Sequence, residues 1–172
     1  IVKNTAENFA HVSLELGGKS PIIVFDDCDI EGAINGIIAG NFGASGQSCV
    51  AGSRVFIQKN IFNRVVSELK DRAKDIVIGN PLDKKTQIGP LATTIQVERA
   101  YNVITNSVKQ GAKLIFGGQS PKHLDEGWYF EPTLLTCPHQ NIDSVKTELF
   151  APVISAISFN TEDDAIQMAN DS

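Results

Sequence analysis

Short apolar runs alternate with helix-period apolar stripes along most of this chain. Val12, Leu14 and Leu16 alternate with polar residues and predict a first strand, with Glu15 at its end and Gly17-Gly18 turning the backbone away. Ile22-Ile23-Val24-Phe25 is a continuous apolar run between Pro21 and Asp26-Asp27, the pattern of a strand buried on both faces of a parallel sheet. Behind a capping Asp29, the residues Ile30, Ala33, Ile34, Ile37 and Ile38 recur at helical spacing, and Phe42 extends the stripe. Residues 53–58 predict a strand. A helix over 61–75 follows, with Phe62, Val65, Val66, Leu69 and Ala73 on one face and the charged residues, Arg64 to Lys74, on a solvated one.

From Val77 to Pro90 the chain is rich in breakers and predicts a loop. A helix over 94–110 carries Val97, Ala100, Tyr101, Ile104 and Val108 as its stripe, with Gly111 to end it. Lys113-Leu114-Ile115-Phe116 predicts a strand, and residues 128–135 a further strand region beyond a polar loop. A helical turn over 144–148, a strand over 153–159 and a capped helix over 161–170 complete the pattern. Strands alternating with helices predict an α/β fold with a mostly parallel sheet flanked by helices.

Bulk composition narrows the function classes. At 172 residues and 42% hydrophobic, the chain can bury one core, and residues 1–172 read as one domain. A net charge of −5 disfavours nucleic acid or an anionic membrane as partner. No apolar run approaches the roughly 20 residues of a membrane span. The three cysteines, Cys28, Cys49 and Cys137, are scattered and odd in number. They read as free thiols in a reducing, cytoplasmic setting, and Cys28 as structural or incidental. His11, His123 and His139 have no partners at ligand spacing, so no metal is expected. Ile1-Val2-Lys3-Asn4 is neither a signal peptide nor an initiating methionine, and the expectation is a chain that begins inside a larger protein. No Gly-x-Gly-x-x-Gly follows a strand, which places any dinucleotide fold mostly elsewhere.

The chemistry centres on Cys49. Gly43, Ala44, Ser45 and Gly46 precede it and Ala51 and Gly52 follow, so a carbonyl can approach the sulfur and the backbone can aim its N–H groups at an oxyanion. By itself this is equally the setting of a buried structural cysteine in a tight turn. Leu14-Glu15-Leu16-Gly17-Gly18-Lys19-Ser20-Pro21 adds a carboxylate on a flexible turn upstream. Together the two stretches resemble the general-base and nucleophile signatures of the aldehyde dehydrogenase superfamily. Glu148-Leu149-Phe150-Ala151-Pro152-Val153 is similar to that family's third motif, Glu-x-Phe-Gly-Pro-Val, and all three stand in family order.

The resemblance implies a Rossmann-like three-layer catalytic domain, with the NAD-binding domain and a C-terminal remainder outside this stretch. It implies Cys49 as nucleophile toward an aldehyde, with its own backbone N–H as one oxyanion donor, and Glu15 as the base that activates water. It further implies NAD or NADP as cofactor. Glu148 would hold the nicotinamide ribose, Phe150 would pack beside the nicotinamide, and Leu16, Gly17 and Arg99 would lie along the cofactor, with Gln96 near Arg99. A homodimer or homotetramer is the implied assembly. Ala151 departs from the motif's glycine, and a positive φ there would strain it. Two alternatives stay open, an acylating relative that passes the thioester to coenzyme A and a non-catalytic protein of the same fold. Glu15 separates the first of these, because acyl transfer to coenzyme A needs no base for water.

Overall fold

The computed structural model describes residues 1–172. A short helix α1 (Val2–Thr5) precedes an irregular stretch, then β1 (Pro21–Val24), α2 (Ile30–Phe42), β2 (Arg54–Gln58) and α3 (Phe62–Ala73). After a loop come α4 (Thr94–Lys109), β3 (Lys113–Phe116), β4 (Thr133–Thr136), α5 (Asp143–Lys146), β5 (Val153–Phe159) and α6 (Glu162–Asn170). The five strands form one sheet in the order β1-β2-β5-β4-β3. Every pairing is parallel except β3 with β4.

Period-two alternation divides the apolar residues of the central strands between two cores. Val55 and Ile57 of β2, Ile154 and Ala156 of β5 and Leu134 of β4 point to one face, where they meet Ile34 and Ile37 of α2 and Val65 and Leu69 of α3. Phe56, Val153, Ile157, Phe159 and Leu135 point to the other, against Ala100 and Ile104 of α4, Val145 of α5 and Ala165 of α6. The result is a three-layer α/β fold with a mostly parallel sheet. Three of the helices, α2, α4 and α6, begin at side-chain caps. The Asp29 carboxylate accepts from Gly32 N at 3.1 Å, and Thr93 with Gln96 and Thr161 with Asp164 form reciprocal capping boxes. Gly111 takes φ +104° just past α4, the left-handed stop that the sequence predicts.

Three strand expectations are corrected. Residues 10–20 form no strand, so Glu15 lies on irregular backbone and not at a strand end. Leu14 and Leu16 are 43% and 69% exposed, and no neighbouring strand offers that segment a ladder. The run that begins at Pro21 is an edge strand with Ile23 partly exposed; the strands buried on both faces are β2, β5 and β4. The strand region expected over 128–135 shrinks to β4. Before it, Trp128 O accepts from Leu91 N and Glu131 N donates to Gln119 O, so this stretch pairs with loops, and Pro132 has no N–H for a ladder.

Candidate active site

All three motifs immediately precede parallel strands, and the register brings those beginnings together. Pro21 of β1 pairs with Arg54 of β2, and Arg54 with Ser155 of β5. The loops ending at Ser20, Ser53 and Pro152 therefore emerge side by side at the amino edge of the sheet. Cys28, by contrast, follows the carboxyl end of β1.

The Cys49 loop is bent by an unusual backbone. Ala44, Ser45 and Gly46 lie consecutively in the left-handed region, with φ of 50°, 58° and 73°. Two of these carry side chains, which costs roughly 1 kcal/mol each and persists only where the surroundings impose it. Those surroundings are visible. Ser45 Oγ donates to Gly89 O at 3.0 Å, Gln47 Oε1 accepts from Ala92 N at 2.9 Å, and Gln47 Nε2 reaches Ala44 O and Pro90 O. Beyond the bend, Ala51 N donates to Ser48 O, closing a tight turn that presents half-buried Cys49 and exposed Val50.

Glycines make the meeting of the three motifs possible. A Cβ on Gly18 would lie 2.8 Å from the carbonyl oxygen of Cys49, and one on Gly17 would overlap the Glu148 carboxylate. Gly18 N donates to Glu148 Oε1 at 2.9 Å. One turn thus touches the backbone of the cysteine and holds the glutamate. On the far side, a Cβ on Gly46 would collide with the Ala151 carbonyl and Pro152 N. Gly46→Ala adds this backbone overlap to a disfavoured φ, and it is expected to destabilise the protein by about 2–4 kcal/mol. An unchanged urea midpoint for this variant would show that the two loops can part freely.

Lys19, next in the turn, donates from Nζ to Ser144 O at 3.0 Å and so anchors the turn to α5. Burial, then the neighbouring Arg54 guanidinium, lowers its pKa to about 8. Burial also pushes the Cys137 thiol up. Arg54 is 1% exposed and donates to the carbonyls of Lys19, Met168, Ala169 and Asp171. It thereby caps the carboxyl end of α6 and fixes the segment that leads from Glu15 into β1.

Of the residues singled out by sequence, the structure gathers the Cys49 carbonyl and the Glu148 carboxylate around the Gly17-Gly18 turn. Phe150 joins them with φ +52°, its carbonyl accepting from Gln96 Nε2 at 3.4 Å. The positive φ in this motif is at Phe150, so Ala151 is not strained and is simply a buried small residue against Gly46. Glu15 and Leu16 are exposed, and Glu15 forms no hydrogen bond or ion pair within the chain. Arg99 is exposed on α4, away from this cluster, and only Gln96 of that pair reaches it. Gln47 and Arg54 brace this cluster in a way that periodicity and motif chemistry do not reveal. Gln47 and Arg54 act on backbone groups of distant segments, which leaves no pattern in the local sequence. No group of three or more His, Cys, Asp or Glu side chains is placed to hold a metal ion, and no helix is long and apolar enough to cross a membrane.

Comparison with known proteins agrees with this geometry. The aldehyde dehydrogenase family model matches residues 1–172. The (Z)-2-((N-methylformamido)methylene)-5-hydroxybutyrolactone dehydrogenase of Acinetobacter baylyi is 51% identical over 99% of this chain and 35% of its own length. The betaine aldehyde dehydrogenase of Brucella anthropi is 44% identical over 99% of this chain and 36% of its own. Among solved structures, betaine aldehyde dehydrogenase from Staphylococcus aureus in complex with NAD+ superposes with a TM-score of 0.93 at 39% identity, covering 99% of this chain and 34% of that one. An aldehyde dehydrogenase from Bacillus cereus, also an NAD+ complex, gives 0.92 at 38% identity, with the same coverage. The chain thus spans about a third of the length of the relatives it matches. With the whole chain matched and its three motifs assembled at one edge of the sheet, this chain belongs to the aldehyde dehydrogenase family.

Proposed function

We propose that this chain is the catalytic portion of an NAD(P)-dependent enzyme that oxidises an aldehyde to a carboxylic acid. The observation that carries the proposal is the Gly17-Gly18 turn, which packs on the Cys49 carbonyl and holds Glu148 through one hydrogen bond. The Cys49 sulfur, as thiolate, attacks the aldehyde carbon, and the carbonyl electron pair moves to oxygen. The backbone N–H of Cys49, which no group of this chain engages, stabilises that oxyanion. A bound nicotinamide cofactor would supply the hydride acceptor. The acyl group is then held on Cys49 as a thioester. Glu15 takes a proton from water, the water oxygen attacks the thioester carbon, and the Cys49 sulfur leaves as thiolate.

The residues present fit the cofactor. Glu148 Oε1 is engaged by Gly18 N, which leaves Oε2 to accept from a ribose hydroxyl, and the glycine at position 17 gives the carboxylate its space. The Staphylococcus and Bacillus structures that this chain resembles hold NAD+. Phe150, Leu16 and Gly17 belong to the same proposed cofactor face. Iodoacetamide mapping tests the nucleophile. In the full-length protein Cys49 should be labelled before Cys28 and Cys137, since it alone sits in a small-residue turn open to carbonyl-sized molecules. Earlier labelling of Cys28, which is equally half-buried, would remove the assignment.

A further inference from the structure

We propose that a small cavity behind the nucleophile loop binds a single water molecule through Asn41, and that this makes Asn41 a positioning residue for Cys49. The inference rests on the reading of Cys49 as nucleophile. Asn41 lies one residue before the end of α2 and is 1% exposed. Neither its Oδ1 nor its Nδ2 has a hydrogen-bond partner in the protein. A buried amide left with both donor and acceptor unmatched is costly and uncommon in native proteins. This chain alone encloses the side chain, so no distant segment or partner molecule can reach it.

The adjoining cavity is of a size for one guest. Its volume is about 10 Å³, and Asn41, Gly46, Ser48 and Ser53 line it together with Glu148 and Phe150. That is close to the smallest space that accommodates a water, which needs two to four polar partners. The Asn41 amide and the serine and backbone groups of the loop can provide them. The cavity lies between the nucleophile loop and the third motif, where Gly46 meets the Ala151 carbonyl. It also adjoins the left-handed Ala44-Ser45-Gly46 bend, which has no sheet ladder to hold it. A water fixed there bridges the two loops and keeps the Cys49 turn aimed.

A high-resolution crystal structure of the full-length enzyme is expected to show one water within hydrogen-bond distance of the Asn41 amide. Asn41→Leu, close in size but unable to hold the water, should lower kcat on the order of tenfold with little change in KM, because misplacement of a reacting group weakens the transition state more than substrate binding. The same variant should shift the pH profile of Cys49 alkylation. Asn41→Ser keeps a polar handle and should restore most of the rate. An amide bonded directly to protein atoms, with no water between, would overturn the proposal. So would Asn41→Leu with the wild-type kcat and a higher melting temperature, the result expected when an apolar group replaces an unmatched amide. If both variants melt early and lose activity alike, Asn41 is a packing residue only. Turnover retained by Cys49→Ser, with the water in place, would instead refute the nucleophile and leave the water site standing.

Discussion

Cys49→Ala in the full-length protein is expected to lower kcat for aldehyde oxidation by ~10⁴-fold or more, because it removes the atom proposed to form the covalent intermediate. Folding should be nearly untouched. Cys49 is half-buried on a turn, outside both apolar cores, so the deleted sulfur leaves no enclosed cavity. Cys49→Ser supplies the control. It keeps the shape of the turn and a hydroxyl at the same place, but a serine hydroxyl is far less ionised than a thiol at neutral pH and is a poor nucleophile. Both variants should bind NAD+ as the wild type does, measured by calorimetry, while steady-state NADH production disappears. Retained turnover would move the nucleophile elsewhere, and the fold offers little choice. Cys28 follows the carboxyl end of β1, and Cys137 is buried beneath Ser144.

The parts of this fold that were legible in the sequence are those in which pattern and packing coincide. The apolar runs of β2 and β5 are buried on alternating faces between two helical layers, so their composition reports their environment directly. The capping residues Asp29 and Thr161 likewise act within three residues of themselves. Residues 12–16 show the limit. Alternation states which side chains share a face, but a strand also needs a neighbour for its N–H and C=O groups, and β1 has only β2. The run beginning at Pro21 fails differently: its apolarity is real, but the strand order puts it at the edge. Local pattern carries no information about strand order.

The same distinction runs through the candidate site. Gly46, Gly17 and Gly18 could be picked out because close backbone approach leaves a trace in the residue type itself. What they approach could not be read, since Ala151, Glu148 and Cys49 lie far along the chain. Arg54 and Gln47 act on main-chain carbonyls and amides, groups that every residue possesses, so nothing in the partner segments marks them. The motif's departure at Ala151 left open whether that residue takes a positive φ; the backbone has it at Phe150 instead.

Glu15→Gln separates hydrolysis from the chemistry that precedes it. Glu15 is exposed, on irregular backbone three residues before Gly18, which packs on Cys49, and no hydrogen bond or ion pair within this chain ties down its carboxylate. A base in that state can swing toward a water near the thioester, and Glu15→Gln keeps the size while removing the proton acceptor. General-base contributions are typically on the order of 10²–10⁴-fold, so steady-state turnover should fall by about that factor. A first-turnover burst of NADH should survive, because thioester formation draws on Cys49 and the backbone donors. Rapid mixing at saturating NAD+ and aldehyde reads both phases in one trace. If Glu15 also deprotonates Cys49, the burst slows together with turnover, and raising the pH restores the burst alone. Should Glu15→Gln turn over at the wild-type rate, Glu15 is not the base for water. Added coenzyme A then tests the acylating route, in which the thioester leaves by acyl transfer and turnover rises with the thiol acceptor.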